Sequence, residues 1–124
     1  SDLEDQPDML DYLRRLLEEQ GAEVVTAGSA TDALALLDHR GHARFDLMLT
    51  DIGMPGMDGY GLIRTVRDNL GLDATALPAV AVTALARDDD RQRALDCGFQ
   101  EHLAKPYSVA QLVAAVRAAR EAVE

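Results

Sequence analysis

Three short apolar runs, "AEVVT", "FDLMLT" and "PAVAVT", alternate with segments whose hydrophobic residues recur at helical spacing. This alternation limits the chain to few folds. "FDLMLT" and "PAVAVT" read as buried strands, and "AEVVT" is β-branched at its centre. Between them "DALALLDH", with Ser29 or Thr31 as its capping residue, and "DGYGLIRTVRDNL", burying Leu62, Ile63, Val66 and Leu70, read as amphipathic helices. A charged helix around "RDDDRQRALDCG" follows, then a short strand near His102 to Ala104. A last helix is capped by Ser108 and stacks Val109, Leu112, Val113 and Val116. Strand-helix units of this length imply right-handed crossovers and a parallel sheet covered on both faces.

Ahead of these units Met9, Leu10, Leu13, Leu16 and Leu17 form one further helical stripe from Pro7 to Gln20, ended by Gly21. The count is then five helices against four full strands. A strand ending just before Glu4 would complete a fifth unit, yet only Ser1, Asp2 and Leu3 are available for it. At 124 residues, 48% of them hydrophobic, the expectation is a single domain over 1–124 without an output domain.

The formal charge of −10, from 12 basic against 22 acidic residues, disfavours a protein that wraps nucleic acid or sits on an anionic membrane by its own field. Proteins or cations are the expected partners. The lone Cys97 has no internal disulfide partner and no Cys/His spacing reads as a zinc site, so a reducing, cytoplasmic setting is expected. No apolar run approaches the roughly 18–20 residues that span a bilayer. Nothing in the sequence reads as a targeting or anchoring segment.

In an open parallel sheet, chemistry collects at the carboxyl ends of the strands. On that edge fall Glu4 and Asp5 before the first helix, Asp51 after "FDLMLT", Thr83 at the end of "PAVAVT", and Lys105 after the last strand. Three carboxylates so close repel unless a cation is shared, and hard oxygen donors suit Mg²⁺. A magnesium ion beside a carboxylate, an ammonium and a hydroxyl is the equipment of phosphoryl transfer, with an aspartate as nucleophile. The consecutive Asp88, Asp89 and Asp90 point in different directions on a helix and read as a solvated first turn. His39 and His42 read as loop residues, Met54 and Met57 as packing around Pro55, and Cys97 as a small core hydrophobe.

The motif "LTDIGMPGMDGYGL", taken with the early pair "ED", the strand-end "VTA" and "AKP", resembles the receiver domains of bacterial two-component response regulators and hybrid histidine kinases. The resemblance covers the chain apart from a first strand. It implies a flavodoxin-like α/β sandwich with parallel strand order 2-1-3-4-5. It implies that Asp51 accepts a phosphoryl group from a partner's phosphohistidine, carried by a histidine kinase or a histidine phosphotransfer domain. Asp5 would coordinate Mg²⁺ with Asp51 and the Gly53 carbonyl, Glu4 would act through metal-bound water, Lys105 would pair with the phosphoryl group, and Thr83 would hydrogen-bond to it. The Lys105–Pro106 bond would be cis, aiming the lysine. Where many receivers carry a switching Tyr or Phe, this chain has His102. The domain would be a self-phosphorylating switch rather than a turnover enzyme. Its output face would be "RDDDRQRALDCG", the strand at His102 and the last helix, read by a downstream protein or a parent kinase, with a homodimer left open.

Two rival readings stand beside this one. An aspartyl-phosphate phosphohydrolase of the haloacid dehalogenase type needs an acid two residues after the nucleophile, where this chain has Gly53. A receiver-like interaction module that takes no phosphate is motivated by the absent first strand, which would leave two strand edges unpaired inside the domain.

Overall fold

The computed structural model describes residues 12, 14–27, 34, 35, 37, 45–52, 58–84 and 87–121. Helix α1 (residues 14–19) precedes β1 (Val24–Ala27), and helical residues at 34, 35 and 37 lead towards β2 (Leu47–Asp51). Next come α2 (Gly59–Arg64), β3 (Ala79–Thr83), α3 (Asp88–Cys97), β4 (Glu101–Ala104) and α4 (Val109–Glu121). The four strands form one parallel sheet in the order β1-β2-β3-β4.

Strand alternation divides the core into two layers. Val25, Met48, Ala79 and Ala81 face one side with Leu37, Leu62, Ile63, Val66, Ala94 and Phe99. Val24, Leu47, Leu49, Val80 and Leu103 face the other with Leu17, Leu112, Ala115, Val116 and Ala119. Right-handed crossovers between strands in sequential order put the connecting helices on one face. The other face would then lie bare, and α1 and α4, at the two ends of the series, cover it.

β1 pairs directly with β2, Val24 opposite Leu47 through Ala27 opposite Thr50. The expected interior pair of unpaired edges is therefore absent among the described strands. Two parallel edges present complementary donors and acceptors, and pairing them satisfies both ladders. Ser1 to Leu3, where part of a first strand was expected, lie outside the described residues.

Caps mark the helix starts. Gly61 N–H donates to Asp58 Oδ1 at 2.9 Å ahead of α2. Ser108 and Gln111 form a reciprocal capping box at α4, Gln111 N–H to Ser108 Oγ at 3.1 Å and Ser108 N–H to Gln111 Oε1 at 2.8 Å. Within α4 the covered stripe begins at Leu112, while Val109, expected in the stack, is 52% exposed in the opening turn and Val113 is half-buried. Leu70, expected to be buried, is also only partly covered. The proposed Ser29 or Thr31 cap lies outside the described residues.

After Arg64 the helix widens into a π-turn over Thr65–Asn69, closed by Leu70 N–H on the Thr65 carbonyl at 3.0 Å. Arg67 sits in its middle. Its guanidinium donates to the Leu72 carbonyl at 3.0 Å, the Leu77 carbonyl at 2.7 Å, the Gly98 carbonyl at 2.9 and 3.1 Å, and Gln100 Oε1 at 3.0 Å. Gln100 Oε1 also accepts from Ala79 N–H at 2.9 Å, so one side chain ties α2 to the start of β3 and the approach to β4. Burial lowers the Arg67 pKa to about 10, which leaves it charged at neutral pH. Gly98 turns the chain at φ +128°, and a Cβ there would meet Arg67 Cγ at 3.1 Å and Ile63 Cγ1 at 3.2 Å.

Replacing Arg67 by leucine keeps apolar volume but removes every donor in this set. The expected cost is roughly 2–3 kcal/mol in urea unfolding, at about 1 kcal/mol or more for each carbonyl left without a partner.

Candidate functional site

Register alone brings the expected residues to one edge. Asp51, the last residue of β2, lies opposite Val82, and Thr83, the last residue of β3, lies opposite Ala104. Lys105 continues from β4, its N–H donating to the Thr83 carbonyl at 2.8 Å. Its ammonium then reaches back across the sheet edge to Asp51 Oδ2 at 2.9 Å. The two side chains are 25% and 16% exposed, so this charge pair is largely withdrawn from water. Partial desolvation strengthens each charge's attraction for the other and the field felt by any third charge brought beside them. The Lys105–Pro106 peptide is cis.

Gly59 supports the edge from below. Its N–H donates to the Ile52 carbonyl at 2.9 Å. A Cβ at this position would stand 2.8 Å from Ile52 Cα and 3.0 Å from the Asp51 carbonyl oxygen. Only glycine lets the start of α2 approach the end of β2 so closely. The sequence placed Gly59 at the start of a helix, which did not reveal this packing role.

Thr83 is 3% exposed at the end of β3. Of the expected magnesium ligands, Asp51 is described, whereas Glu4, Asp5 and Gly53 lie outside the described residues. Among the described residues no group of three or more His, Cys, Asp or Glu side chains could hold a metal ion. The carboxylate at Asp51 is a hard oxygen donor, and its chemistry fits Mg²⁺ better than a soft ion.

His102 lies on the same side of β4 as Ala104, opposite to Leu103, and so faces the layer containing α3. Its Nε2 is buried without a hydrogen-bond partner, as is Asp90 Oδ2 in the first turn of α3. Asp88 and Asp89 are exposed as expected, but Asp90 is turned partly inward. That departs from the reading of the three acids as a wholly solvated turn, because helix rotation at 100° per residue carries the third towards the sheet. Arg91 reaches Glu101 at 3.9 Å beside them. Burial depresses the His102 pKa below its ordinary value, against the pull of Asp90 and Glu101 and with the help of Arg91.

The folded protein thus resists protonating His102 more than the unfolded chain does. Stability from this residue is intact above the unfolded value near 6.5 and is lost as pH falls from there through the lower folded value. Urea midpoints measured between about pH 7.5 and 5.5 should fall more steeply for the wild type than for His102→Phe.

Comparison with known proteins agrees with this geometry. A family model described as "Response regulator receiver domain" matches residues 3–117. A protein of Leptolyngbya boryana, described as an uncharacterized 14.6 kDa protein in the sodA1 3′ region, is 44% identical over 115 residues, covering 93% of this chain and 84% of that one. The sensor histidine kinase RcsC of Escherichia coli (strain K12) is 40% identical over 100 residues, covering 77% of this chain but only 10% of its own length. Among solved structures, a response regulator receiver domain protein from Clostridium thermocellum matches with a TM-score of 0.75 at 26% identity, covering 95% of this chain and 90% of that one. With the family model spanning the whole described sheet and the strand ends that carry Asp51, Thr83 and Lys105, the chain belongs to the response regulator receiver family, the phosphoacceptor modules of two-component signalling, in a flavodoxin-like α/β fold.

Proposed function

We propose that Asp51 is the phosphoacceptor of this receiver, taking a phosphoryl group from the phosphohistidine of a histidine kinase or a histidine phosphotransfer domain. The observation that carries the reading is the Lys105–Asp51 contact of 2.9 Å, made across the sheet edge by residues 54 positions apart in the sequence. An ammonium held against a nucleophilic carboxylate is placed to neutralise charge on an incoming phosphoryl group. Thr83, the last residue of the neighbouring strand, stands one position beyond Val82, the residue paired with Asp51, and would offer a hydroxyl to the same group from the sheet edge.

Mg²⁺ would be held by Asp51, with Asp5 and the Gly53 carbonyl as further direct ligands and Glu4 acting through water. When bound it supplies charge neutralisation on the phosphoryl oxygens. The setting in this reading is the cytoplasm, where kinase and receiver meet; among the described residues no helix is long and apolar enough to cross a membrane.

The state would be read on the face made by α3, β4 and α4. Ala94 is the one buried side chain of α3, whereas α4 buries Leu112, Ala115, Val116 and Ala119. The weakly anchored helix shifts at lower cost, and coupling to phosphorylation of about 1–3 kcal/mol suffices to bias it. His102, on the face of β4 turned towards the layer of α3, is the switching residue in this scheme, in step with Thr83.

Incubation with Mg²⁺ and acetyl phosphate, followed by intact mass spectrometry, should add one phosphoryl group to the wild type and none to Asp51→Asn. Absence of any gain in the folded wild type would favour an interaction module that takes no phosphate. Lys105→Met should keep the fold while slowing the initial rate roughly a hundredfold, the usual effect of removing one charge-stabilising donor.

A further inference from the structure

Tyr107 carries a hydroxyl that the reading above does not use. The residue follows Lys105 by two positions, and its ring packs against the layer formed by Leu17, Leu103, Leu112 and Val116. Asp51 shares strand parity with Leu47 and Leu49, which belong to that same layer. The phenol and the carboxylate are therefore on one side of the sheet, at its carboxyl edge. The Tyr107 hydroxyl is buried and has no hydrogen-bond partner. Burial raises its pKa, and the negative charge of Asp51 raises it further.

A buried donor without an acceptor costs about 1–3 kcal/mol, and few native groups are left so. Here the unsatisfied donor lies within the field of the residue that would gain extra anionic oxygens on phosphorylation. We propose that Tyr107 is a positioning residue whose hydroxyl is held in reserve for the phosphorylated state, donating to the anionic group built on Asp51 and favouring that state over the unphosphorylated one. The inference rests on the assignment of Asp51 as phosphoacceptor. It predicts opposite effects of one deletion: removing the hydroxyl relieves an unsatisfied group in the resting protein and takes a charge-assisted hydrogen bond from the loaded one.

The test compares wild type with Tyr107→Phe, which keeps the ring. Resting stability is read from the urea midpoint. Affinity for beryllium trifluoride, a non-covalent phosphoryl mimic, is read by calorimetry in the presence of Mg²⁺. The expected result is a midpoint equal to or higher than that of the wild type, together with mimic binding weakened about tenfold, the worth of one such bond. Unchanged affinity would overturn the inference. A midpoint and an affinity that fall together would also overturn it, since that pattern belongs to packing. A wild type that accepts neither the mimic nor a phosphoryl group from acetyl phosphate would overturn the phosphoacceptor assignment itself, and this inference with it. A wild type that accepts both while Tyr107→Phe matches it would remove this inference alone.

Discussion

Parallel pairing in fixed register is the constraint from which the rest of the molecule follows. Each strand advances the chain in the same direction, so all carboxyl ends lie on one edge, and side-chain alternation fixes which residues look to each layer. A slip of one residue between β2 and β3 would move Met48 and Thr50 into the layer of Leu112 and carry Asp51 to the other side of the sheet. The burial of both layers, with Leu47, Met48 and Leu49 fully covered, makes such a slip prohibitively costly. Register thereby protects the Lys105–Asp51 contact although neither residue contributes to the core.

The edge is an electrostatic device assembled on an apolar frame. Lys105 balances Asp51 in a place where water is scarce, so the loss or gain of one charge there is felt strongly by neighbouring groups. Gly59 lets the helix start lie against the strand end, and Tyr107 packs against the layer that α4 covers. The receiver family uses an acidic edge to store a phosphoryl group; in this chain the stored charge would be met by a threonine hydroxyl from the end of β3 and by an ammonium and a phenol from the one segment that follows β4.

Rigidity and mobility are distributed unevenly around that edge. Arg67 locks the π-turn of α2 to the carbonyls of Leu72, Leu77 and Gly98, a mesh of charge-assisted bonds in a partly buried position. By contrast α3 rests on Ala94, on the contact of Arg93 with the Tyr60 ring at 4.0 Å, and on the unsatisfied neighbourhood of Asp90 and His102. An element held by few buried contacts and by buried polar groups without hydrogen bonds has alternative arrangements within reach. Arg67 fixes one end of the sheet's helical cover and leaves the end near the output face less constrained.

By itself the sequence determined the alternation of strands and helices, the two-layer burial, and the place of Asp51, Thr83 and Lys105 at the ends of strands, because period, turn residues and strand-end position are local properties. It also predicted caps such as Ser108, whose partner Gln111 is only three residues away. Tertiary structure alone decided that β1 lies against β2, that Arg67 reaches residues up to 33 positions distant, and that Asp90 turns partly inward on the side of the sheet that His102 faces. It likewise decided that the Tyr107 hydroxyl lies buried without a hydrogen-bond partner, where the charge of Asp51 is felt. The physical reason is that hydrophobic periodicity specifies which face of an element is covered. Which polar group meets which across that face depends on strand register, crossover hand and helix rotation, none of which a local pattern contains.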